Sequence, residues 1–485
     1  MISILKLKYY NLTLQAKAAI WFLICSFMQK GISSITTPIF TRLLSTEEYG
    51  QFNVFNSWLN IISICITFNM FNGVYGQGLI KFSKNRDVFS SSLQGLTTTL
   101  ISFGTVIYFL FRNFWNQLFS LTTVQMMAML VMIWTSATFN FWASEQRVLY
   151  CYKKLVIVTL FVSIAKPIVG VIFVVLSEDK VTARILGLML VELIGYTGLY
   201  LSQMLKGKKF FSKFFWKYAL LYNIPLIPHY LSQIVLSSAD RIMIKIMVGD
   251  SESGIYSLAY SVSLIMTLFN TALMQTLSPW IYQKIKEKKI SEIASIAYIS
   301  MAIVAVANLL LILLAPEVIA IFAPKSYYAA IAIIPPVAMS VYFMYCYDLF
   351  AKFAFYYEKT FFIMIASVIG AVFNIVLNYF FIRKCGYITA GYTTLACYVL
   401  YCVFHYLFMN KVCAKYTNMK SPYNLKILIG ITLAFVFFGF TFLFTYSYPM
   451  IRYLLVGVIT ITAFIFRNRI INIFRKIMSV KNVDL

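Results

Sequence analysis

Carboxylates are scarce in this sequence: 16 aspartates and glutamates stand against 41 lysines and arginines, and histidine occurs only twice. Charged residues of both signs make up 12% of the 485 positions, about half the share usual in soluble domains. No long polar stretch remains to fold as a water-soluble domain. No G-x-x-x-x-G-K-[ST] loop occurs, so there is no P-loop for a nucleotide. The eight cysteines include no C-x-x-C pair and have no histidine at ligand spacing. Those at Cys25, Cys65, Cys397 and Cys402 lie inside apolar segments, which argues against a disulfide framework or a zinc site. No cofactor and no metal are expected. The net charge of +25 is spread in small clusters beside apolar segments rather than in one patch, so no nucleic-acid partner is expected.

What is abundant is apolar surface: 61% of residues are hydrophobic and the mean hydropathy is +0.80. Apolar runs of about 20 residues recur along the chain, the length an α-helix needs to cross a bilayer. The reading is an all-α polytopic membrane protein with about fourteen transmembrane helices. Their centres fall at Gln29, Ile61, Leu100, Met132, Ile164, Val191, Ser232, Leu264, Val304, Tyr342, Val372, Tyr398, Phe435 and Gly457. The first run follows Met1 to Tyr10 without a small-residue cleavage site, so it reads as a retained helix.

Charge distribution sets an orientation. With the N-terminus inside, alternate loops carry Lys81, Lys84 and Arg86; Arg147, Lys153 and Lys154; Lys206 to Lys217; Lys284 to Lys289; Lys352 and Lys359; and Lys411 to Lys426. The tail adds Arg467, Arg469, Arg475 and Lys476, while the opposite loops are basic-poor. By the positive-inside rule, both termini are expected in the cytoplasm.

Two segments align without a gap: LSTEEYGQFNVFNSW from Leu44 and VGDSESGIYSLAYSV from Val248. Glu48 matches Glu252, Gly50 matches Gly254, Phe52 pairs with Tyr256 and Ser57 matches Ser261. Both fall at the turn between the first and second helix of a half, which predicts two related six-helix lobes. The expected division is a first lobe over residues 1–205, a basic linker over 206–216, a second lobe over 217–415, and two further helices with a basic tail over 416–485.

Polar residues form stripes at helical spacing. The first helix carries Ser26, Lys30, Ser33, Ser34, Thr37 and Thr41, and the second Asn53, Asn56, Asn60, Ser63 and Thr67. Such faces are too polar for lipid and are expected to line a cavity. Helix four offers Thr138, Trp142 and Glu145, and helix five Thr159, Ser163 and Lys166. The second half offers Gln233, Ser237, Asp240 and Arg241; Tyr256, Tyr260, Thr267 and Asn270; and Tyr345, Asp348 and Lys352. A cation at mid-membrane costs about 2.5–3.5 kcal/mol on insertion scales. Lys30 and Lys166 therefore need compensation, either an anion in a wet cavity or a structural pair with Glu145 or Glu192. Arg241 beside Asp240 reads either as a helix lock or as a cavity cation. Lys352 is expected to snorkel to the interface. His229 and His405 are read as hydrogen-bonded packing residues, with a proton site as the alternative for His229. Pro225 and Pro228 in helix seven and Pro335 and Pro336 in helix ten are expected to break the hydrogen-bond ladder and let those helices bend.

The stretches TPIFTRLLSTEEYGQFNVFNSW and SSADRIMIKIMVGDSESGIYSLAYSVS resemble the Wzx-type polysaccharide and O-antigen repeat-unit flippases of the multidrug/oligosaccharidyl-lipid/polysaccharide exporter superfamily. The resemblance implies a V-shaped pair of lobes around a central cavity and no enzyme activity. The implied function is to flip an undecaprenyl-pyrophosphate-linked oligosaccharide from the inner to the outer leaflet of the bacterial cytoplasmic (inner) membrane by alternating access. Lys30, Lys166 and Arg241 would hold the pyrophosphate; these positions differ from the arginine pattern of the related lipid II flippases. Ser34, Thr37, Asn53, Asn56, Asn60, Tyr256, Tyr260, Asn270 and Tyr345 would meet the sugar, and Asp240 or Asp348 would bind a coupling ion. Implied partners are the lipid-linked oligosaccharide, membrane lipids, and a complex with a polysaccharide polymerase and chain-length regulator. The alternatives are an ion-coupled multidrug exporter of the same superfamily and a membrane polysaccharide polymerase. A polymerase would want a large outer loop, and none is much longer than about a dozen residues, beyond the usual short connection.

Overall fold

The computed structural model describes residues 13–417, 419, 421–465 and 467. Residues 1–12, Lys420 and the tail cations Arg469, Arg475 and Lys476 lie outside the described residues. The described chain is helical, without strands, and forms two compact units, Met1–Ser238 and Ala239–Leu485. All fourteen expected centres fall within helices or helix pairs. Ten helical stretches among the described residues are long and apolar enough to cross a membrane, and one bent pair makes an eleventh. Thr46–Thr67 is not among the ten, because Asn53, Asn56 and Asn60 lower its hydropathy.

The first unit contains α1 (Leu14–Leu43), α2 (Thr46–Thr67), α3 (Val74–Lys81), α4 (Arg86–Leu110), α5 (Arg112–Phe119), α6 (Thr123–Val148), α7 (Tyr152–Val175), α8 (Lys180–Gly207) and α9 (Lys213–Asn223). It also holds the first half of α10 (Ile227–Met247). Helix starts follow side-chain capping rules. Ser45 and Glu48 form a reciprocal capping box at α2, as do Thr122 and Gln125 at α6, each satisfying amides that the first helical turn leaves without partners.

One apolar cluster joins α2, α4, α6 and α8 through Phe52, Phe55, Ile101, Met129, Ile133 and Ile185. A second joins Tyr75, Leu79, Phe89, Phe141 and Phe215. The basic connection before α9 lies against α4 in this unit: the Trp216 indole donates to the Ser92 carbonyl at 2.9 Å, and Ser91 donates to the Lys209 carbonyl at 3.0 Å. That approach needs glycine, since a Cβ on Gly95 would lie 2.1 Å from the Phe210 carbonyl oxygen.

The second unit continues with α11 (Asp250–Ser263), α12 (Ile265–Lys286), α13 (Ile290–Leu313), α14 (Ala315–Phe322), α15 (Ile334–Tyr356), α16 (Thr360–Cys385), α17 (Thr389–Tyr416), α18 (Leu425–Thr441) and α19 (Pro449–Ile465). Its central helix is α15, buried along most of its length. Both repeat segments start a helix directly after a long one, at α2 and at α11. Pro225, Pro228, Pro335 and Pro336, expected to kink helices from within, lie at helix starts instead. Pro225 opens a 3-10 turn between α9 and α10, and Pro335 sits in the first turn of α15, where its missing N–H has no carbonyl to meet. The chain bends by 50° between the 3-10 segment Lys325–Ala332 and α15.

Candidate functional site

The first unit holds a half-open cavity of about 680 Å³. Its walls come from the end of α2, the segment that follows it, the middle of α6 and the start of α10. That segment exists because α2 unwinds abruptly: Phe68 and Asn69 both take left-handed φ values, 50° and 53°. The carbonyls freed at a helix end need donors. Asn223, fully buried, supplies them, its Nδ2 donating to the carbonyls of Phe68 at 3.0 Å and Asn69 at 2.8 Å. Its Oδ1 accepts from the Val74 amide at 3.4 Å. Gly73 completes the turn with φ 64°, and a Cβ there would lie 2.9 Å from the Tyr230 hydroxyl. The turn thus presents Asn69, Phe71 and Asn72 to the cavity beside Tyr230.

The lining mixes polar and apolar side chains and carries no charge among its described residues. Five carboxamides (Asn60, Asn69, Asn72, Asn140 and Gln233) and three hydroxyls (Ser63, Ser136 and Tyr230) face it, with no lysine, arginine, histidine or carboxylate among the described lining residues. Much of this hydrogen-bonding capacity is free. The side chains of Asn60, Ser63, Tyr230 and Gln233 have no hydrogen-bond partner among the described residues, and the Asn140 carboxamide donates to the Ser136 carbonyl at 2.9 Å with its oxygen left over.

The other stripe residues of α1 and α2 are engaged locally. Ser34 donates to the Lys30 carbonyl at 3.1 Å and Thr37 to the Ser33 carbonyl at 3.0 Å. Asn53 donates to the Tyr49 carbonyl at 2.7 Å and Asn56 to the Phe52 carbonyl at 3.0 Å. Such bonds to the preceding turn satisfy a polar side chain without any ligand. Of the residues expected to bind substrate, Asn60 lines this cavity.

The two lysines differ. Lys30 is exposed and has no ion-pair partner among the described residues. Lys166 meets Glu192 at 2.5 Å, with side chains 30% and 4% exposed. Glu192 also accepts from Thr135 at 2.8 Å and from Ser136 at 3.5 Å. Ser136 therefore stands between the cavity and a mutually neutralised pair.

In the second unit Asp240 is fully buried and accepts three hydrogen bonds: from Tyr256 at 2.6 Å, Asn378 at 2.6 Å and Thr394 at 2.8 Å. Asn378 also donates to Asn374 at 3.2 Å and accepts from Thr393. Arg241 does not pair with its neighbour Asp240; its guanidinium lies 4.7 Å from the Tyr260 ring centre. Tyr256 and Tyr260, one turn apart on α11, are thus enclosed, the first bonded to Asp240 and the second under the Arg241 guanidinium. Asn270 donates to the Val341 carbonyl at 2.9 Å, and Tyr345 is buried. Asp348 accepts from Lys352 at 2.7 Å, one turn away. His405 is buried among Tyr347, Tyr401 and Phe362, and neither ring nitrogen has a partner among the described residues. The expected hydrogen bond to His405 is replaced by aromatic packing.

Spacing reasoning missed Asn69, Asn72, Ser136, Asn140 and Tyr230. The i, i+4 pair Ser136 and Asn140 was visible on α6, but the stripe through Thr138, Trp142 and Glu145 drew attention to another face. Asn69 and Asn72 flank a helix break that apolar periodicity reads through.

A family model for polysaccharide biosynthesis proteins matches residues 16–285. A Haemophilus influenzae protein of the Lsg locus is 21% identical over 300 residues, covering 56% of this chain and 67% of its own. Among solved structures, lipid II flippase MurJ in its inward closed conformation has a TM-score of 0.70 at 16% identity, covering 93% of this chain and 100% of that one. A multidrug resistance MATE family transporter of the MOP superfamily, outward-facing, has a TM-score of 0.55 at 12% identity, covering 84% and 98%. At these identities the structural likeness establishes a shared fold.

Proposed function

This chain belongs to the polysaccharide biosynthesis protein family, and we propose that it flips an undecaprenyl-pyrophosphate-linked oligosaccharide repeat unit. Movement runs from the inner to the outer leaflet of the bacterial cytoplasmic membrane, by alternating access. The observation that carries this reading is the cavity of about 680 Å³ inside a membrane-spanning unit, walled by carboxamides and hydroxyls with free hydrogen-bonding capacity. Sugar hydroxyls both donate and accept, and carboxamides answer both needs. Moving such a head group through hydrocarbon unaided would cost several kcal/mol for each unpaired polar group, on the order of the transfer penalties for amides and hydroxyls. The polyprenyl tail stays in lipid.

Lys30 is the proposed seat for the pyrophosphate, being a cation in α1 without a counter-ion among the described residues. Lysine supplies charge-assisted bonds to phosphate oxygens. An inside-negative potential favours outward passage of an anion by about 2.3 kcal/mol per charge per 100 mV. Asp240, held by three neutral donors, is the proposed coupling site for a proton or a small cation. Asp348 is already paired with Lys352, which leaves Asp240 the better candidate. Drug export draws on the MATE-like fold, but the described cavity lining contains no carboxylate to attract a cationic drug.

The test is translocation of a labelled polyprenyl-pyrophosphate oligosaccharide in proteoliposomes, comparing wild type with Lys30→Ala and Lys30→Arg at matched folded protein. Loss in the alanine variant with recovery in the arginine variant supports the pyrophosphate seat. No translocation by wild type sinks the flippase reading.

A further inference from the structure

The cavity of the first unit carries polar groups without charge, and that combination restricts its ligand. Carboxamides at Asn60, Asn140 and Gln233 and hydroxyls at Ser63 and Tyr230 offer donors and acceptors, while Phe71 and aliphatic side chains such as Ile64 and Met132 make the larger, apolar part of the wall. Behind Ser136 the charges of Lys166 and Glu192 cancel across 2.5 Å. From this chemistry we infer that the cavity selects electrically neutral glycans and rejects sugars bearing a carboxylate. The inference rests on the flippase reading above and names the class of repeat unit that reading leaves open.

The physical reasoning follows from desolvation. A neutral sugar entering the cavity exchanges its water hydrogen bonds for bonds to groups that are otherwise without protein partners, so little is lost. A uronic acid entering the same half-open space gives up part of its hydration shell and finds donors but no counter-charge among the described lining residues. An uncompensated buried ion is disfavoured far more strongly than an unpaired hydroxyl. Phe71 favours the C–H face of a sugar ring through dispersion, which a neutral ring satisfies fully. Acetamido groups are neutral and remain compatible. The volume lies in the range of about 300–1,000 Å³ typical of small-ligand pockets, which suits a few sugar rings rather than a polymer.

The experiment uses full-length protein in proteoliposomes with two polyprenyl-pyrophosphate oligosaccharides of equal length, one of neutral hexoses and one with a single hexose replaced by its uronic acid. Wild type is expected to move the neutral lipid at least about tenfold faster, the minimum that one uncompensated charge should impose. Gln233 is exposed and unbonded, so Gln233→Lys adds a counter-charge in the cavity wall without breaking a contact. In that variant the preference is expected to shrink or reverse. Equilibrium dialysis of the free neutral and acidic oligosaccharides against wild type gives the same comparison independently of whether the variant folds. Equal handling of both lipids, with equal binding of both free sugars, overturns the inference and leaves the flippase reading standing. If neither lipid moves, the flippase reading fails and takes the inference with it.

Discussion

Lys166→Met and Glu192→Gln remove the same ion pair, yet their costs should differ. The pair spans 2.5 Å, and the two side chains differ sharply in exposure, 30% for Lys166 and 4% for Glu192. Lys166→Met strands a carboxylate that keeps the hydroxyls of Thr135 and Ser136 as its donors among the described residues. Removing one partner of a buried pair costs about 3–5 kcal/mol, and the two hydroxyls should hold this case near the lower figure. Glu192→Gln keeps an oxygen that accepts from Thr135 and leaves Lys166 free to reach water. Its cost should approach that of a surface pair, about 1 kcal/mol. The gap of about 2 kcal/mol is roughly a 30-fold difference in the unfolding equilibrium. Equilibrium unfolding of the purified variants in mixed micelles measures it, and the double variant should resemble Glu192→Gln. Equal costs, or a milder Lys166→Met, would refute the reasoning. The same variants decide what the pair is for. As a helix lock, Glu192→Gln leaves affinity for polyprenyl pyrophosphate unchanged; as part of an anion seat, it frees Lys166 and tightens that affinity.

Three further outcomes are expected. Asp240→Ala deprives Tyr256, Asn378 and Thr394 of their acceptor, at about 1–3 kcal/mol for each buried group left unpaired. Asp240→Asn should abolish any dependence of transport on a proton or sodium gradient; retained gradient dependence would remove Asp240 from coupling. Gly73→Ala imposes a left-handed φ at about 1–2 kcal/mol and displaces the Tyr230 hydroxyl from 2.9 Å. Glycan binding should therefore weaken more than the melting temperature falls, which parallel binding and melting curves would show. Gly95→Ala brings a Cβ to 2.1 Å from the Phe210 carbonyl oxygen; overpacking of about 1–3 kcal/mol should free the basic connection before α9, read as faster proteolysis there.

Helix type was legible because apolar run length sets it; the expected count of about fourteen spans compares with ten, or eleven with the bent pair, among the described residues. The start of α2 was equally plain, since Ser45 and Glu48 have the spacing of a capping box. The repeat was legible for a related reason: Glu48 and Glu252 both lie in the first turn of a helix that follows a tight connection. The cavity was legible only through Asn60, Ser63 and Gln233. Its other walls depend on where helices stop, and the unwinding after Thr67 is held by Asn223, more than 150 positions away from Phe68. No local pattern records such a clasp. Likewise, adjacency of Asp240 and Arg241 suggested a pair, but neighbours on a helix point about 100° apart, and each side chain found other partners.

A polar stripe on a transmembrane helix carries less functional information than its regularity suggests. Ser34, Thr37, Asn53 and Asn56 lie on such stripes, yet each donates to a carbonyl one turn back in its own helix. This arrangement lets a polar residue sit in a membrane helix with no ligand at all. What separates Asn60, Ser63, Tyr230 and Gln233 is that their side chains are left unengaged around a common space. Free capacity of that kind is costly in a dry membrane interior, so it persists where water or a polar ligand fills the space. The residues worth substituting first are therefore the unengaged ones. Gln233→Ala should reduce transport while leaving stability unchanged, whereas Asn53→Ala should do neither harm. If Asn53→Ala abolished transport and Gln233→Ala did not, hydrogen-bond engagement would be the wrong criterion for reading this cavity.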